Sequence, residues 1–345
     1  MLPENIILTN TPCSDLEGFL IRQKYSKILI LADENTQQLC YPLISESLPA
    51  HGVLTIDSGE ENKVLETCEA IWQTMTDAQL DRHSVVIILG GGVLGDMGGF
   101  CAATYKRGID FILIPTTLLA QADASIGGKL GIDFNNFKNH IGVFKQPALT
   151  LLHAGFLKTL PENELRSGFA EVIKHALISD KKLWDEIHTK DLNSQDWNVL
   201  LKQSAEFKYS IIDKDPYEKG LRKILNAGHT VGHALESYFL AAENKILHGD
   251  AIAAGLIAEG YIASKKNMLD DQSLKEITGY ILRIFGKLTI PEKALQEIAA
   301  LCLQDKKNKG NNVLSALPEG IGNAKWDVEI SLAEIVDSLQ FYRSC

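Results

Sequence analysis

The feature that most constrains this chain is a set of short apolar runs, each stopping at a glycine or a polar turn. They are KILILAD (27–33), GVLTID (52–57), SVVIILGGG (84–92) and DFILIPTT (110–117). None is long enough to cross a membrane as a helix, which takes about 20 apolar residues. KILILAD and SVVIIL show no polar alternation, so both faces of each strand need cover, as in a parallel sheet. The intervening segments have room for helices. SGEENKVLETCEAIWQTM (58–75) places Val64, Leu65, Cys68, Ile71 and Trp72 at helical spacing, which predicts a helix capped by Ser58. Alternating strands and helices predict an α/β domain. Open sheets of this kind bind ligands at the carboxyl ends of their strands, which points to Asp33, Asn35, Thr116 and Thr117.

The third run enters GGGVLGD (90–96) and then a helix. Glycines there let backbone N–H groups approach a phosphate at a helix N-terminus. The spacing is not the GxGxxG dinucleotide fingerprint, and a tight structural turn is the alternative. QADASIGGKLGIDFNNFKNHIG (121–142) reads as a glycine-punctuated loop carrying Asp123, Lys129, Lys138 and Asn139.

Near residue 155 the character changes, which predicts an α/β domain over 1–155 and a helical domain over 156–345. Helical periodicity covers 161–180, 196–213, 222–241, 250–266, 272–286 and 291–303, followed by a short hairpin within 305–326 and a final helix. Glu171 and Lys174 are spaced i, i+3, and an exposed ion pair is the simple reading of them.

One helical stretch, RKILNAGHTVGHALESYFLAAENKILHGD (222–250), holds three of the nine histidines. His229 and His233 are spaced i, i+4 and share a face. His248 follows on what reads as a loop. Two imidazoles with a carboxylate from elsewhere make a common catalytic zinc set with a position left open. A pair of hydrogen-bonded core histidines is the alternative. A formal charge of −10 and a pI near 5.4 argue against a general nucleic-acid or anionic-membrane surface. Six scattered cysteines without a CxxC pair, and no signal-like opening, make a reduced, cytoplasmic location the default.

Taken together, GEENK (59–63), GGGVLGD (90–96), YKRG (105–108), IPTTLLAQADASIGGK (114–129), KNHIG (138–142), SGFAEVIKHA (167–176), LRKILNAGHTVGH (221–233), HGD (248–250) and DKK (305–307) resemble the 3-dehydroquinate synthase family over almost the full length. The resemblance implies an NAD-binding α/β domain and an all-α metal-binding domain. It implies conversion of 3-deoxy-D-arabino-heptulosonate 7-phosphate to 3-dehydroquinate by transient oxidation, phosphate elimination, reduction, ring opening and aldol closure. Carried over motif by motif, Glu171, His229 and His248 would hold a divalent metal, zinc or else cobalt. Asp33, Asn35, Glu60, Lys63, Gly91, Gly92, Val93, Asp96, Thr116, Thr117, Asp123, Lys129, Lys138, Asn139 and Thr159 would serve the cofactor, some of them also the substrate. Lys129, Lys174, Lys208, Arg222, Asn226 and Lys306 would meet the substrate's carboxylate and phosphate, with His233 as acid/base. Arg107 would reach the site of a neighbouring subunit in a homodimer.

Two departures stand out: HGD where HGE is usual, so that Asp250 is one methylene shorter, and Leu130 where a small polar residue is commoner. Three rival readings remain. One is a cyclase of the same superfamily acting on a substrate without a carboxylate. The others are a metal-dependent alcohol dehydrogenase and a non-catalytic NAD-binding protein.

Overall fold

The computed structural model describes residues 2–46, 48–135, 137–304 and 312–345. In chain order the elements are β1 (Ile6–Leu8), α1 (Pro12–Gln23), β2 (Ile28–Asp33), α2 (Glu34–Leu39), α3 (Pro42–Ser45), β3 (Gly52–Ile56), α4 (Leu65–Asp77), β4 (Val85–Gly90), α5 (Gly92–Thr104), β5 (Asp110–Pro115), β6 (Lys129–Phe134), β7 (Phe137–Phe144) and β8 (Leu149–Leu152). Then follow α6 (Glu162–Ser179), α7 (Lys181–Ile187), α8 (Trp197–Lys214), α9 (His229–Ala241), α10 (His248–Lys265), α11 (Asp271–Phe285), α12 (Leu295–Leu301), β9 (Val313–Pro318), β10 (Ala324–Ile330) and α13 (Leu332–Ser344). The chain divides into two compact units, Met1–Pro161 with Trp197–Tyr209, and Glu162–Asp196 with Ser210–Cys345.

In the first unit six strands form a parallel sheet in the order β1-β8-β5-β4-β2-β3. The inner strands are apolar throughout because the sheet is covered on both faces. Leu29 and Leu31 of β2, Val86 and Ile88 of β4, and Phe111 and Leu113 of β5 join the core under α4 and α5. Their neighbours Ile30, Ile87, Leu89, Ile112 and Ile114 join the opposite core with Leu16, Phe19 and Leu20 of α1. Each such fully buried aliphatic side chain contributes about 1.5–3 kcal/mol relative to exposure.

Two expectations for this unit need correction. Ser58 does not cap the helix that follows it: a 3-10 turn (Glu60–Asn62) intervenes, and α4 starts at Leu65 with Val64 as its N-cap residue. The stretch after the fifth strand is not all loop. Lys129–Phe134 and Phe137–Phe144 pair as an antiparallel hairpin, β6 and β7. The alternation that marks a half-buried strand is missing from β7, which is almost wholly exposed.

In the second unit α10 is the central helix. It contacts α6, α9, α11 and α13, and small or apolar residues from Gly249 to Ala263 bury it on nearly every side. The helix expected over 222–241 is in fact two elements, a 3-10 segment (Leu221–Asn226) and α9, separated by Gly228 in the left-handed region. His248 is not on a loop, being the first residue of α10. The expected hairpin is present as β9 and β10. Among the described residues no helix is long and apolar enough to cross a membrane.

Candidate active site

Three helices of the second unit bring Glu171, His229 and His248 together. Glu171 comes from the middle of α6, while the two histidines open α9 and α10. Glu171 Oε1 lies 3.5 Å from Nε2 of His229 and 3.5 Å from Nε2 of His248. Donors ~2.1 Å from a tetrahedral centre stand ~3.4 Å apart, so this spacing is that of a zinc-sized cation's ligands. The tautomers agree. His229 Nδ1 is 3.1 Å from the carbonyl of Ala227, which can only accept, so Nδ1 carries the proton and Nε2 offers its lone pair. Nδ1 of His248 lies 3.3 Å from Glu236 Oε2, with the same consequence.

Electrostatics separate the two imidazoles. Burial holds His229 well below its ordinary pKa against the pull of Glu171, so it stays neutral. Burial also opposes the charged form of His248, but hydrogen bonds to Glu171 and Glu236 outweigh it and push its pKa up to about 9. A metal ion would have to displace that proton. Glu171 and Lys174 do pair, but not on the surface: both side chains are 1% exposed, and Lys174 Nζ donates to Glu171 Oε2. Oxygen Oε1 is the one turned to the histidines. Donor types, spacing and tautomers all fit a divalent cation. His233 stands beside this group with its ring 5.1 Å from that of His229 and 6.0 Å from that of His248, and it is exposed.

In the first unit a cavity opens at the carboxyl ends of β4 and β5. It is lined by Gly90, Gly91, Gly92, Asp96, Ser125, Lys129 and Leu130 among others. Gly91 is the N-cap residue of α5 and offers no side-chain cap, so the helix presents its first N–H groups there, from Gly92 and Val93 onward. A Cβ on Gly91 would come 3.1 Å from the Thr117 methyl, a tight approach that the threonine would have to yield to. Such a cradle fits a dinucleotide's phosphates. Beside it, the buried Lys63 ammonium donates at 2.7 Å to both Asp96 Oδ2 and Asn139 Oδ1. Burial raises the Asp96 carboxyl, and Lys63 pulls it back.

The remaining expected residues fall in several places. Asp33 ends β2 and spends Oδ1 on the N–H groups of Asn35 and Thr36, capping α2. The Asn35 amide donates to Glu34 and Ser58, and Lys138 lies 3.9 Å from Glu60. Thr116 is buried, and Thr117 Oγ1 accepts from Ala120 N–H. Asp123 sits in a π-helical turn (Ala120–Ala124) and pairs with Lys208 at 2.8 Å. Thr159 bonds Phe156 O. Arg107 is exposed in the turn after α5, where it and Lys106 both have positive φ, 71° and 49°. Arg222 donates to Pro216 O and Asn226 to Glu218 Oε1, which ties both to the turn after α8. Lys306 lies outside the described residues. Of the departures, Asp250 pairs with Arg166 at 3.4 Å, and Leu130 is core, packed where a Cβ on Gly99 would go. Sequence reasoning missed Glu236 and Glu259. The first is one turn beyond His233, and the second is three turns beyond His248 on the same stripe of α10.

The family model described as 3-dehydroquinate synthase N-terminal matches residues 53–167, and that described as 3-dehydroquinate synthase C-terminal matches 168–308. A curated 3-dehydroquinate synthase of Parabacteroides distasonis is 37% identical over 349 residues, 99% of each chain. That of Ruminiclostridium cellulolyticum is 39% identical over 307 residues, 86% of this chain and 84% of its own. Among solved structures, 2-epi-5-epi-valiolone synthase from Streptomyces hygroscopicus subsp. jinggangensis, with NAD+ and Zn2+ bound, superposes with a TM-score of 0.88 at 25% identity. That match covers 100% of this chain and 98% of the other.

Proposed function

The chain belongs to the 3-dehydroquinate synthase family, and on that premise we propose that it converts 3-deoxy-D-arabino-heptulosonate 7-phosphate into 3-dehydroquinate and phosphate, within the shikimate pathway to aromatic amino acids. Phosphate departs by cleavage of a carbon–oxygen bond, which makes the enzyme a lyase. The observation that carries the reading is the convergence of buried Glu171 with half-buried His229 and His248 at donor spacings of 3.5 Å. When bound, NAD supplies a reversible hydride acceptor and a divalent metal, zinc or else cobalt, supplies a Lewis acid that acidifies an alcohol.

The chain's own residues do the rest. Glu171, His229 and His248 hold the metal, and Lys174 keeps the Glu171 carboxylate oriented. The glycine cradle with Lys63, Asp96 and Asn139 is assigned to the cofactor, as are the other residues that the family motifs place there. A substrate with two anionic ends needs cations in a protein of charge −10. We assign this role to Lys129, Lys174, Lys208, Arg222 and Lys306, with Asn226 as a neutral donor. His233, exposed beside the proposed metal ligands, is the group we assign to take and return a proton during ring closure. In domain terms NAD is assigned chiefly to 1–155, with Thr159 from beyond it, and metal and substrate chiefly to 156–345, with Lys129 from the first domain. The enzyme is a cytoplasmic homodimer in which Arg107, presented on a turn of left-handed residues, serves the neighbouring subunit's site.

The test is phosphate release from 3-deoxy-D-arabino-heptulosonate 7-phosphate, with and without NAD and after chelation of the metal. Release that requires both and yields 3-dehydroquinate is expected. Release from sedoheptulose 7-phosphate or glucose 6-phosphate instead would move the chain to a cyclase of a substrate without a carboxylate.

A further inference from the structure

Helix α9 begins where its own sequence offers no cap. Its N-cap residue, Gly228, is left-handed at φ 79° and has no side chain to accept from the first turn. Nothing larger fits. A Cβ there would lie 2.8 Å from Leu256 Cγ and 3.1 Å from the carbonyl oxygen of Ile252, both on α10. From the other side, a Cβ on Gly255 would fall 2.0 Å from the carbonyl oxygen of Gly228. The two helices therefore meet backbone to backbone at the turn that carries His229. The missing acceptor comes from α10. Glu259, which is 0% exposed, accepts from the N–H of Gly228 at 2.7 Å through Oε2 and from that of Val231 at 3.1 Å through Oε1.

Spacing on α10 shows how this is arranged. His248, Ile252, Gly255 and Glu259 stand at i, i+4, i+7 and i+11 and so form one stripe. Ile252 and Gly255 meet the start of α9, Glu259 braces it, and His248 lies among its histidines. A carboxyl group so deeply buried is costly unless donors meet it. Two backbone N–H groups and the positive end of the α9 dipole do so here.

We infer that Glu259 is a positioning residue of the metal centre. By holding the N–H groups on either side of His229, it fixes where that imidazole stands relative to Glu171 and His248. The inference rests on the reading of those three residues as metal ligands, and it concerns a side chain that reaches the centre only through the backbone of α9.

The test uses the full-length zinc-loaded protein. Glu259→Gln preserves shape but replaces one acceptor with an amide NH2, which then confronts a backbone N–H. Zinc affinity is read by competition with a chromophoric chelator, and geometry by the visible absorption of the cobalt-substituted protein. The zinc dissociation constant should rise about 10–100-fold, as for other groups that orient metal ligands, and the cobalt bands should shift. Ser331→Ala removes the side-chain cap of α13 and serves as the control. It should lower thermal stability and leave zinc affinity and the cobalt spectrum alone. If His229→Ala retains zinc at full affinity, the ligand assignment fails and the inference goes with it. If His229→Ala loses zinc while Glu259→Gln binds as tightly as the parent with an unchanged spectrum, the inference alone is overturned. Should Glu259→Gln not fold, hydrogen exchange of the unmutated protein decides. Removing zinc should speed exchange at Gly228 and Val231 far more than in α13, and equal acceleration would refute the role.

Discussion

Replacing Lys174 with Met keeps the aliphatic stem of the side chain and removes its charge. In the parent, Lys174 and Glu171 are each 1% exposed and bonded to one another, so the variant removes a buried counter-charge from Glu171 and leaves that carboxylate facing His229 and His248. Breaking a buried pair by deleting one partner costs about 3–5 kcal/mol. In a domain of this size each kcal/mol moves the melting temperature by roughly 2–4 °C, so the metal-free variant should melt about 6–20 °C below the parent. Bound metal supplies the positive charge that the lysine no longer does. The loss should therefore shrink in the zinc-loaded protein, and the gap between metal-free and metal-loaded melting temperatures should widen. Differential scanning calorimetry of both proteins, each with chelator and with saturating zinc, gives the four temperatures needed. A metal-free drop below about 3 °C, or a zinc-induced gap equal in variant and parent, would show that Lys174 does not neutralise Glu171 in the folded protein.

Arg222→Ala should lower kcat/KM for the carboxylated sugar phosphate by about 10–150-fold, the equivalent of a lost charged hydrogen bond of roughly 1.5–3 kcal/mol; a change within about threefold would remove Arg222 from the substrate site. Asp215 accepts from the N–H groups of Lys219, Gly220 and Arg222, at 3.0, 2.7 and 3.0 Å, so Asp215→Asn should loosen the turn that holds Arg222 and raise KM more than it lowers kcat. Burial would raise the Asp215 carboxyl, but those donors outweigh it and its pKa is lowered. Its contribution to stability is accordingly complete above its unfolded pKa of about 3.9 and is lost as pH falls through the lower folded value, which acid titration of parent and Asp215→Asn would reveal as a difference confined to that window. If the chain forms the proposed homodimer, co-expressed Arg107→Ala and His229→Ala chains should recover activity that neither shows alone, because only the mixed dimer would contain one site with an intact metal set and a neighbour's arginine; no recovery would refute the reach of Arg107 into a neighbouring site.

The parts of the fold legible in the sequence were those where local chemistry and tertiary demand agree. β2, β4 and β5 announce themselves because a strand covered on both faces has no place for polar alternation, and α6 because its apolar spacing runs unbroken to Ser179. The hairpin of β6 and β7 was hidden by its glycines and by Asp133, Asn135, Lys138 and Asn139, which are loop-like in composition, and by the exposure of β7. The break before α9 was hidden for the opposite reason. Ile224 and Val231, seven residues apart, keep an apolar spacing across it, so periodicity runs straight through the place where Gly228 turns the chain. At the candidate site, residue types and spacing pointed to two histidines and an acid. The burial of Glu171 with Lys174 comes from packing around α6 and has no local signature.

The proposed metal centre carries an electrostatic difficulty that explains its surplus of acids. His229 and His248 are each the first residue of a helix, so the positive ends of two helix dipoles converge where a cation is to bind. Each terminus carries a partial charge of about +0.5, and cations are disfavoured there. One ligand carboxylate, already shared with Lys174, is a weak answer to that field. Three further acids stand within reach of the same two termini. Glu236 bonds His248 Nδ1, Asp250 lies in the first turn of α10, and Glu259 takes the N–H groups of the first turn of α9. Glu259 and Asp250 offset the dipoles at their sources, and Glu236 returns negative charge through an imidazole to the ligand atom. On this view the shortened acid in HGD matters through the charge it retains, held by Arg166, and not through its length. The site uses helix N-termini because they place two imidazoles rigidly, and it needs the acids to keep those termini hospitable to a metal.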